Sequence, residues 1–366
     1  MHLRPRRQVT TAGLAIVAVA LAACSSSSSS STSSAPATTG SGSASASSSN
    51  LSGTLNGSGS SFQLVYQQTA IQSFKSVQPN MTVNYGGGGS GKGRTDLASG
   101  VVNFAGSDSP IPDKEKANFG GKTVLYFPVF LGPITVSYNL SGVSNLKLDA
   151  TVLANIFQGK ITKWNDPAIA ALNSGVSLPS SAITIAVRSD SSGTTQNFSL
   201  YLEKAAGSAW TLGSSSTIKW PATARAGMGN GGVAQIIKST PGAVGYVDYA
   251  DAKASGLSFA SIKNSSGNYV APSPESASAA GSQIDVAANL TFHAVDSPAP
   301  QAYPITYQSW VLVTQQQSNS NNAAMLKAYI GYLLGDGQQL LTGLGYAPLP
   351  SNILTQAQAQ VSKIGT

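Results

Sequence analysis

Ile183-Thr-Ile-Ala-Val-Arg188-Ser-Asp190-Ser-Ser192-Gly193-Thr194 is the stretch that decides the fold of this chain. Ile183, Ile185 and Val187 alternate as in a half-buried strand. The residues from Arg188 to Thr194 are small and polar, and beyond them Phe198, Tyr201, Leu202 and Ala205 return at helical spacing. The order is strand, hydroxyl-rich loop, helix. The same plan occurs twice more. Gly57-Ser-Gly-Ser-Ser61-Phe62 precedes a helical pattern over Leu64 to Val77, carried by Leu64, Ile71, Phe74 and Val77. Met81, Val83 and Tyr85 alternate as a strand, run into Gly86-Gly-Gly-Gly-Ser90-Gly91, and lead to a short helix around Arg94 to Ala98. Strands alternating with helices predict an α/β class with mostly parallel sheets.

Loops of this kind have a physical use. The first turn of a helix leaves unpaired N–H groups and a partial positive charge, so an anion is stabilised there. Small residues let the main chain come close to the ligand, and Ser or Thr hydroxyls add donors. One such loop can be simple capping and turn formation; three in one chain, one of them opening on an arginine, point to an anion. Gly86 to Lys92 matches most of a nucleotide-binding P-loop, but Gly93 stands where that motif needs a hydroxyl for Mg²⁺, so the nucleotide reading is rejected.

The charge pattern sharpens this. Lys and Arg number 21 against 14 Asp and Glu in 366 residues, a formal charge of +7, and charged residues are only 10% of the chain. Arg4, Arg6 and Arg7 supply three of the positive charges, and none follows until Lys75, so the chain without them carries +4. A dense Lys/Arg stripe able to neutralise a phosphate backbone is missing, which excludes a nucleic-acid binder. Beyond residue 24 there are three arginines, Arg94, Arg188 and Arg225. Arg188 stands at a strand end, where a bidentate grip on an oxyanion is natural. Asp108, in Gly106-Ser-Asp-Ser-Pro110, follows the apolar run Val101 to Ala105 at another strand end, where an Asx-turn is its plain alternative role.

The amino-terminal region reads as a processing signal and a tether. After the three arginines, Ala12 to Ala23 is apolar but short: twelve residues at about 1.5 Å each cannot cross a hydrocarbon core of roughly 30 Å. An export signal fits better than a membrane span. Leu21-Ala22-Ala23-Cys24 resembles a bacterial lipobox, which implies a signal peptide over 1–23 and a lipid on Cys24, the one cysteine of the chain. Residues 24–50 are almost wholly Ser, Ala, Thr and Gly, a composition that cannot offset its ordering entropy, and a flexible coil of that length spans about 25–30 Å.

Taken together the loops resemble the PstS family, the phosphate-binding lipoproteins of phosphate-specific ABC importers. Gly57 to Phe62 is similar to the family's first loop and Tyr85 to Gly93 to its second. Phe104-Ala-Gly-Ser-Asp-Ser-Pro110 is similar to its aspartate loop and Arg188 to Thr194 to its arginine loop. Ile156-Phe-Gln-Gly-Lys-Ile-Thr-Lys-Trp-Asn-Asp166 and Pro241-Gly-Ala-Val-Gly-Tyr-Val247 support the match, which extends from about Leu55 to Pro350.

The resemblance implies a two-lobed, periplasmic-binding-protein-like α/β fold with two crossing strands as a hinge and the anion in the cleft. Leu125 to Phe130 and Tyr303 to Thr306 are the expected crossings. Lobe I then comprises 51–128 and 304–366, and lobe II comprises 129–303. Carried over by motif position, Ser61, Phe62 and Ser90 would donate to phosphate from one side, and Arg188, Ser192, Gly193 and Thr194 from the other, with Asp108 facing the ligand. Asp190 would either orient Arg188 or cap the following helix. Ser61 replaces a threonine common in the family, and Lys92 sits where uncharged residues are common.

Phosphate near neutral pH keeps at least one proton and can donate it to Asp108, whereas sulfate has none to donate and would face a repelled, unpaired carboxylate. Arsenate or a phosphonate-like ligand would satisfy the same pocket. The expected partners are inorganic phosphate and ABC permease subunits, with the membrane reached through the lipid alone. A monomer outside the cytoplasm, anchored to the bacterial cell membrane, is expected, with no cofactor and no metal. The competing reading is a secreted serine hydrolase. It lacks a G-x-S-x-G elbow, and His293 would be the one histidine left for a triad. Gly227-Met-Gly-Asn-Gly-Gly232, before a helical pattern over Val233 to Lys238, is assigned to turn structure or the cleft rim. Trp164, Trp210, Trp220 and Trp310 are scattered, as packing residues are, and do not suggest a stacking platform.

Overall fold

The structure, a computed structural model, describes residues 51–366; the signal peptide, Cys24 and the serine-rich tether lie outside the described residues. The first part contains β1 (Gly53–Gly59), α1 (Leu64–Val77), β2 (Met81–Gly86), α2 (Ser90–Ala98), β3 (Phe104–Ser107) and α3 (Asp113–Lys116). A long strand follows, β4 (Val124–Tyr138). Then come β5 (Lys147–Leu148), α4 (Ala150–Phe157), α5 (Pro167–Leu172), β6 (Thr184–Arg188), α6 (Gly193–Ala206), β7 (Arg225–Gly227), α7 (Gly229–Ser239) and β8 (Ala243–Asp248). The chain continues through α8 (Tyr249–Ala254), β9 (Ser258–Phe259), β10 (Ser261–Lys263), β11 (Tyr269–Val270) and α9 (Pro274–Gly281). It returns as β12 (Thr306–Thr314) and closes with α10 (Ser320–Leu333) and α11 (Ser351–Gln360).

The main sheet runs in the order β2-β1-β3-β12-β4-β8-β6-β7, with β9 added to β4; β5, β10 and β11 form a small second sheet. β1 pairs in parallel with β2 and β3, and β6 in parallel with β7 and β8. Between these two parallel trios lie β12 and β4, which are antiparallel to each other and to their outer neighbours. The expectation of mostly parallel sheets therefore holds within each lobe and fails at the centre, because two strands that cross from lobe to lobe in opposite directions must pair antiparallel.

The centre is also deeply buried. β4 is buried over all of its length except Val124, so it reads as an apolar run rather than an alternation. Its register with β12 slips between Ser309, opposite Phe130, and Trp310, opposite Pro128. Val129 is thus the extra residue of a β-bulge, its carbonyl taken by Gln338 Nε2 at 2.8 Å. A bulge bends a strand and re-aims a side chain; here the side chain beside it is Ser309, which reaches Asp108. An aromatic group packs against the same place: the Phe62 ring stacks on Tyr307 at 4.0 Å and meets Phe130 and Tyr346 edge-on.

Of the helices that carry the polar loops, α6 starts on a side-chain cap, whereas α2 and α7 start without one. Ser192 Oγ accepts the Thr195 N–H at 3.1 Å and opens α6. α2 begins at Ser90, four residues before the expected Arg94, with Gly91 and Gly93 inside the helix. A glycine run reads as loop, but close packing requires these two. A Cβ on Gly93 would stand 2.7 Å from both Gly59 Cα and Ser58 O, and one on Gly91 would collide with the Ser191 side chain. Likewise α7 begins at Gly229 rather than Val233, which puts Asn230 on the helix. Trp164, Trp210 and Trp310 are buried packing residues as expected.

Candidate anion-binding site

Four strand ends on the two sides of the crossing pair deliver the polar loops to one place. Asp108 follows β3 and is fully buried. Three hydroxyls donate to its carboxylate: Ser60 Oγ to Oδ2 at 2.7 Å, Ser90 Oγ to Oδ2 at 3.2 Å, and Ser309 Oγ to Oδ1. Its main-chain carbonyl accepts Asn197 Nδ2 at 2.6 Å and Gln308 Nε2 at 3.2 Å, so the loop is held from α6 and β12 as well. Burial pushes the Asp108 carboxyl up to about 6, against the downward pull of the Ser309, Ser60 and Ser90 hydrogen bonds and of the Arg188 charge.

Arg188 closes β6 with its side chain out of solvent. Asp190 grips it through two bonds, Nε to Oδ1 at 2.8 Å and Nη2 to Oδ2, and Nη1 reaches Thr194 Oγ1 at 3.3 Å. Asp190 also accepts the Gly229 N–H at 3.1 Å. Burial works to raise the Asp190 carboxyl, yet the hydrogen bonds and charge of Arg188 outweigh it and leave it below the usual carboxylate range. Of the two roles open for Asp190, the geometry gives it the orientation of Arg188, while Ser192 caps the helix.

The remaining residues complete the lining. The N–H groups of Gly193 and Thr194 open α6, where no carbonyl of the same helix can receive them. Ser61 Oγ accepts two bonds from Asn230, and the Phe62 N–H donates to Ser60 Oγ at 3.1 Å. The two sides touch directly. The Gly91 N–H donates to Ser191 O at 3.0 Å, and a Cβ on Gly193 would meet Asp108 Oδ2 and Cβ at 2.7 Å. Gly193→Ala is therefore expected to fold normally but hold the cleft apart, weakening binding of the cleft's ligand roughly 10- to 100-fold, as overpacking of a tight contact by about 1–3 kcal/mol does. Calorimetry beside a circular-dichroism spectrum checks this; unchanged affinity would mean that the two sides need not approach.

The contacts join Ser61 to Thr194 through Asn230, bring Ser90 and Gly193 onto Asp108, and set Phe62 on Ser60 beside it, while Thr194 and Asp190 hold Arg188 and Ser192 caps the helix that carries Thr194. Lys92 is not among them: its ammonium pairs with Asp96 one turn along α2, and half of its side chain is exposed. Sequence reasoning missed several others. Ser60 is one residue from the expected Ser61, and Ser309 carries no local signature, because only the bulge aims it. Asn230 belongs to the glycine stretch assigned to turn or rim; the structure corrects this, since Asn230 is fully buried against Ser61 and Thr194. The strand–loop–helix pattern there was the available clue. Arg94, also buried, is bidentate on Glu115 at 2.6 and 3.1 Å and donates to Ser107 and Ser109, the neighbours of Asp108, at 3.3 and 3.1 Å. It fixes the aspartate loop.

His293 is exposed and makes no side-chain hydrogen bond with a serine or carboxylate among the described residues, so the geometry of a hydrolytic triad is missing there. Among the described residues no cluster of three His, Cys, Asp or Glu could hold a metal, and no helix is long and apolar enough to cross a membrane.

Comparison with known proteins places the fold and the family. Residues 44–336 match the family model for a PBP superfamily domain. The phosphate-binding protein PstS of Pasteurella multocida is 36% identical over 314 residues, 84% of this chain and 89% of that protein. Phosphate-binding protein PstS 3 of Mycobacterium tuberculosis is 35% identical over 321 residues, 85% of this chain and 86% of its own length. The solved structure of a phosphate-binding protein from Stenotrophomonas maltophilia shares the fold with a TM-score of 0.67 at 18% identity, covering 84% of this chain and 93% of that one. By fold and by descent, the chain belongs to the PBP superfamily and, within it, to the PstS family of phosphate-binding proteins.

Proposed function

We propose that this chain is the extracytoplasmic substrate-binding protein of an ABC importer, that it captures inorganic phosphate between its two lobes without chemical conversion, and that it hands the ion to permease subunits. One observation carries the reading: a buried, acceptor-only carboxylate, Asp108, set beside a buried arginine and the start of α6. An anion site built of donors alone would take any tetrahedral oxyanion. An acceptor in its midst selects one that still has a proton to give. Ser61, Ser192, Thr194 and Arg188 are assigned as side-chain donors to the ligand, Phe62, Ser90 and Gly193 as main-chain N–H donors, and Asp190 as the group that orients Arg188.

The lobe boundaries proposed are 51–128 with 304–366 against 129–303, with β4 and β12 as the hinge. Closure of such lobes expels water, which strengthens each charge-assisted bond inside, and presents the permease with a shape that reports loading. Cys24 is proposed to carry the lipid that tethers a monomeric protein to the membrane. The mass of the membrane-extracted chain checks this, since a product starting at Cys24 with added acyl groups is expected and an intact residue 1 would rule it out. The function is tested by calorimetric titration with phosphate, sulfate and p-nitrophenyl phosphate. One phosphate site per chain, little heat with sulfate and no release of p-nitrophenol are expected; turnover of the ester would move the chain to the hydrolases.

A further inference from the structure

Asn230 occupies the second position of α7, fully buried, across the cleft from the loop that carries Ser61. Its backbone N–H and its Nδ2 both donate to Ser61 Oγ, at 3.3 and 3.2 Å, and Nδ2 also lies 3.4 Å from Thr194 Oγ1. Thr194 Oγ1 receives Arg188 Nη1 at 3.3 Å as well. A hydroxyl has one proton to give and two lone-pair sites to fill. At Ser61 both acceptor sites are taken by Asn230; at Thr194 both are taken, one by Arg188 and one by Asn230. Each hydroxyl therefore has nothing left to do but donate.

We propose that Asn230 is a positioning residue that makes Ser61 and Thr194 one-way donors to phosphate, and that it does so only when the lobes close. The inference rests on the phosphate-binding reading of the cleft. Ser61 follows β1, in one parallel trio, and Asn230 follows β7, in the other. The orienting bonds to Ser61 thus form with closure itself, so ligand capture and hydroxyl orientation are coupled. The backbone N–H of Asn230 sets the sense of the arrangement, because a main-chain donor must find a lone pair of Ser61 whichever way the amide is turned. The amide oxygen, Oδ1, is buried and makes no hydrogen bond among the described residues. This fits a side chain held by its donor end. Turned over, Oδ1 would accept the protons of both hydroxyls and withdraw them from the anion.

That opposition defines the experiment. Phosphate is titrated calorimetrically at pH 8 into the purified full chain in detergent, as wild type, Asn230→Ala, Asn230→Asp, Ser61→Ala and the Ser61→Ala/Asn230→Ala double variant. Ligand-free melting curves check that each protein folds. Asn230→Ala is expected to weaken binding about 10- to 100-fold, the scale of one or two hydrogen bonds to a charged ligand. Asn230→Asp, nearly isosteric, is expected to weaken it at least about 1,000-fold, because a carboxylate accepts both protons and adds a negative charge. In the Ser61→Ala background, Asn230→Ala should cost clearly less than in wild type, since part of its work is already lost. A residue that merely packs would give additive losses in the double-variant cycle. Additivity, or Asn230→Asp binding phosphate as well as Asn230→Ala, overturns the proposal; if Asp at this position prevents folding, the double-variant cycle decides alone. A wild-type chain that binds no phosphate would overturn the parent reading of the cleft and this inference with it.

Discussion

Replacing Arg188 with methionine is expected to lower phosphate affinity by at least about 1,000-fold, the largest single loss in the site. Two effects add. The first is the direct loss of a charge-assisted donor in a place without water, where such bonds are strongest. The second comes from Asp190. Its carboxylate is held by two Arg188 nitrogens and by the Gly229 N–H, and Arg188 supplies the positive charge that balances it. Without the guanidinium that carboxylate is stranded, buried and close to the incoming anion, and breaking a buried pair from one side costs about 3–5 kcal/mol. Arg188→Lys should fall between, because one ammonium cannot hold both Asp190 oxygens and reach Thr194 at once. Pairing Arg188→Met with Asp190→Asn separates the two effects: melting temperature should recover while phosphate affinity stays low. Recovery of affinity in that double variant would mean that Arg188 matters only as the counter-charge of Asp190.

The second large effect is on selectivity. At pH 8 Asp108→Asn should weaken phosphate and admit sulfate, shrinking the ratio of their affinities by roughly 1,000-fold or more, as sites built around one hydrogen bond do when that bond is removed. The amide would keep the size of the side chain but offer an N–H where sulfate needs a donor. The wild type should show a milder version of the same change with pH. Asp108 sits at about 6, so below that value it is protonated, becomes a donor, and loses its ground for rejecting sulfate. Discrimination is therefore expected to fall as pH drops from 8 to 5 in the wild type and to stay flat in Asp108→Asn. Stability of the ligand-free protein follows the same group with a definite sign. The folded pKa lies above the unfolded value, so the contribution is complete below about pH 4 and is lost as pH rises through about 6. The stability of Asp108→Asn relative to wild type should accordingly rise between pH 4 and pH 8, by on the order of 1–3 kcal/mol. A difference that does not change with pH would mean that Asp108 is not buried in the unliganded protein.

How much of this was legible in the sequence depends on distance along the chain. Ile183 to Thr194 declared its strand, loop and helix because alternation, hydroxyls and helical spacing are local, and the helix boundary was correct for α1 to the residue. Scarcity of charge marked Arg188 and Asp108 among few competitors. The arrangement that gives them meaning was not local. Ser309 stands 201 positions from Asp108 and is aimed by a bulge that no periodicity announces. Asn230 and Arg94 escape a reading of the sequence for a related reason. Glycines inside α2 and α7 look like loop residues until the close approach of main chain to main chain is seen. The antiparallel centre of the sheet was hidden too, since strand direction depends on which lobe the chain is entering.

The central proposal is a cleft that holds a protonated tetrahedral oxyanion and refuses an unprotonated one. The most direct measurement is native mass spectrometry of the purified chain at pH 8, after dialysis against a large excess of sulfate. One retained phosphate per chain is the predicted result. A cleft carrying sulfate after that dialysis, or an empty cleft that takes up no phosphate when the ion is added back, would contradict it.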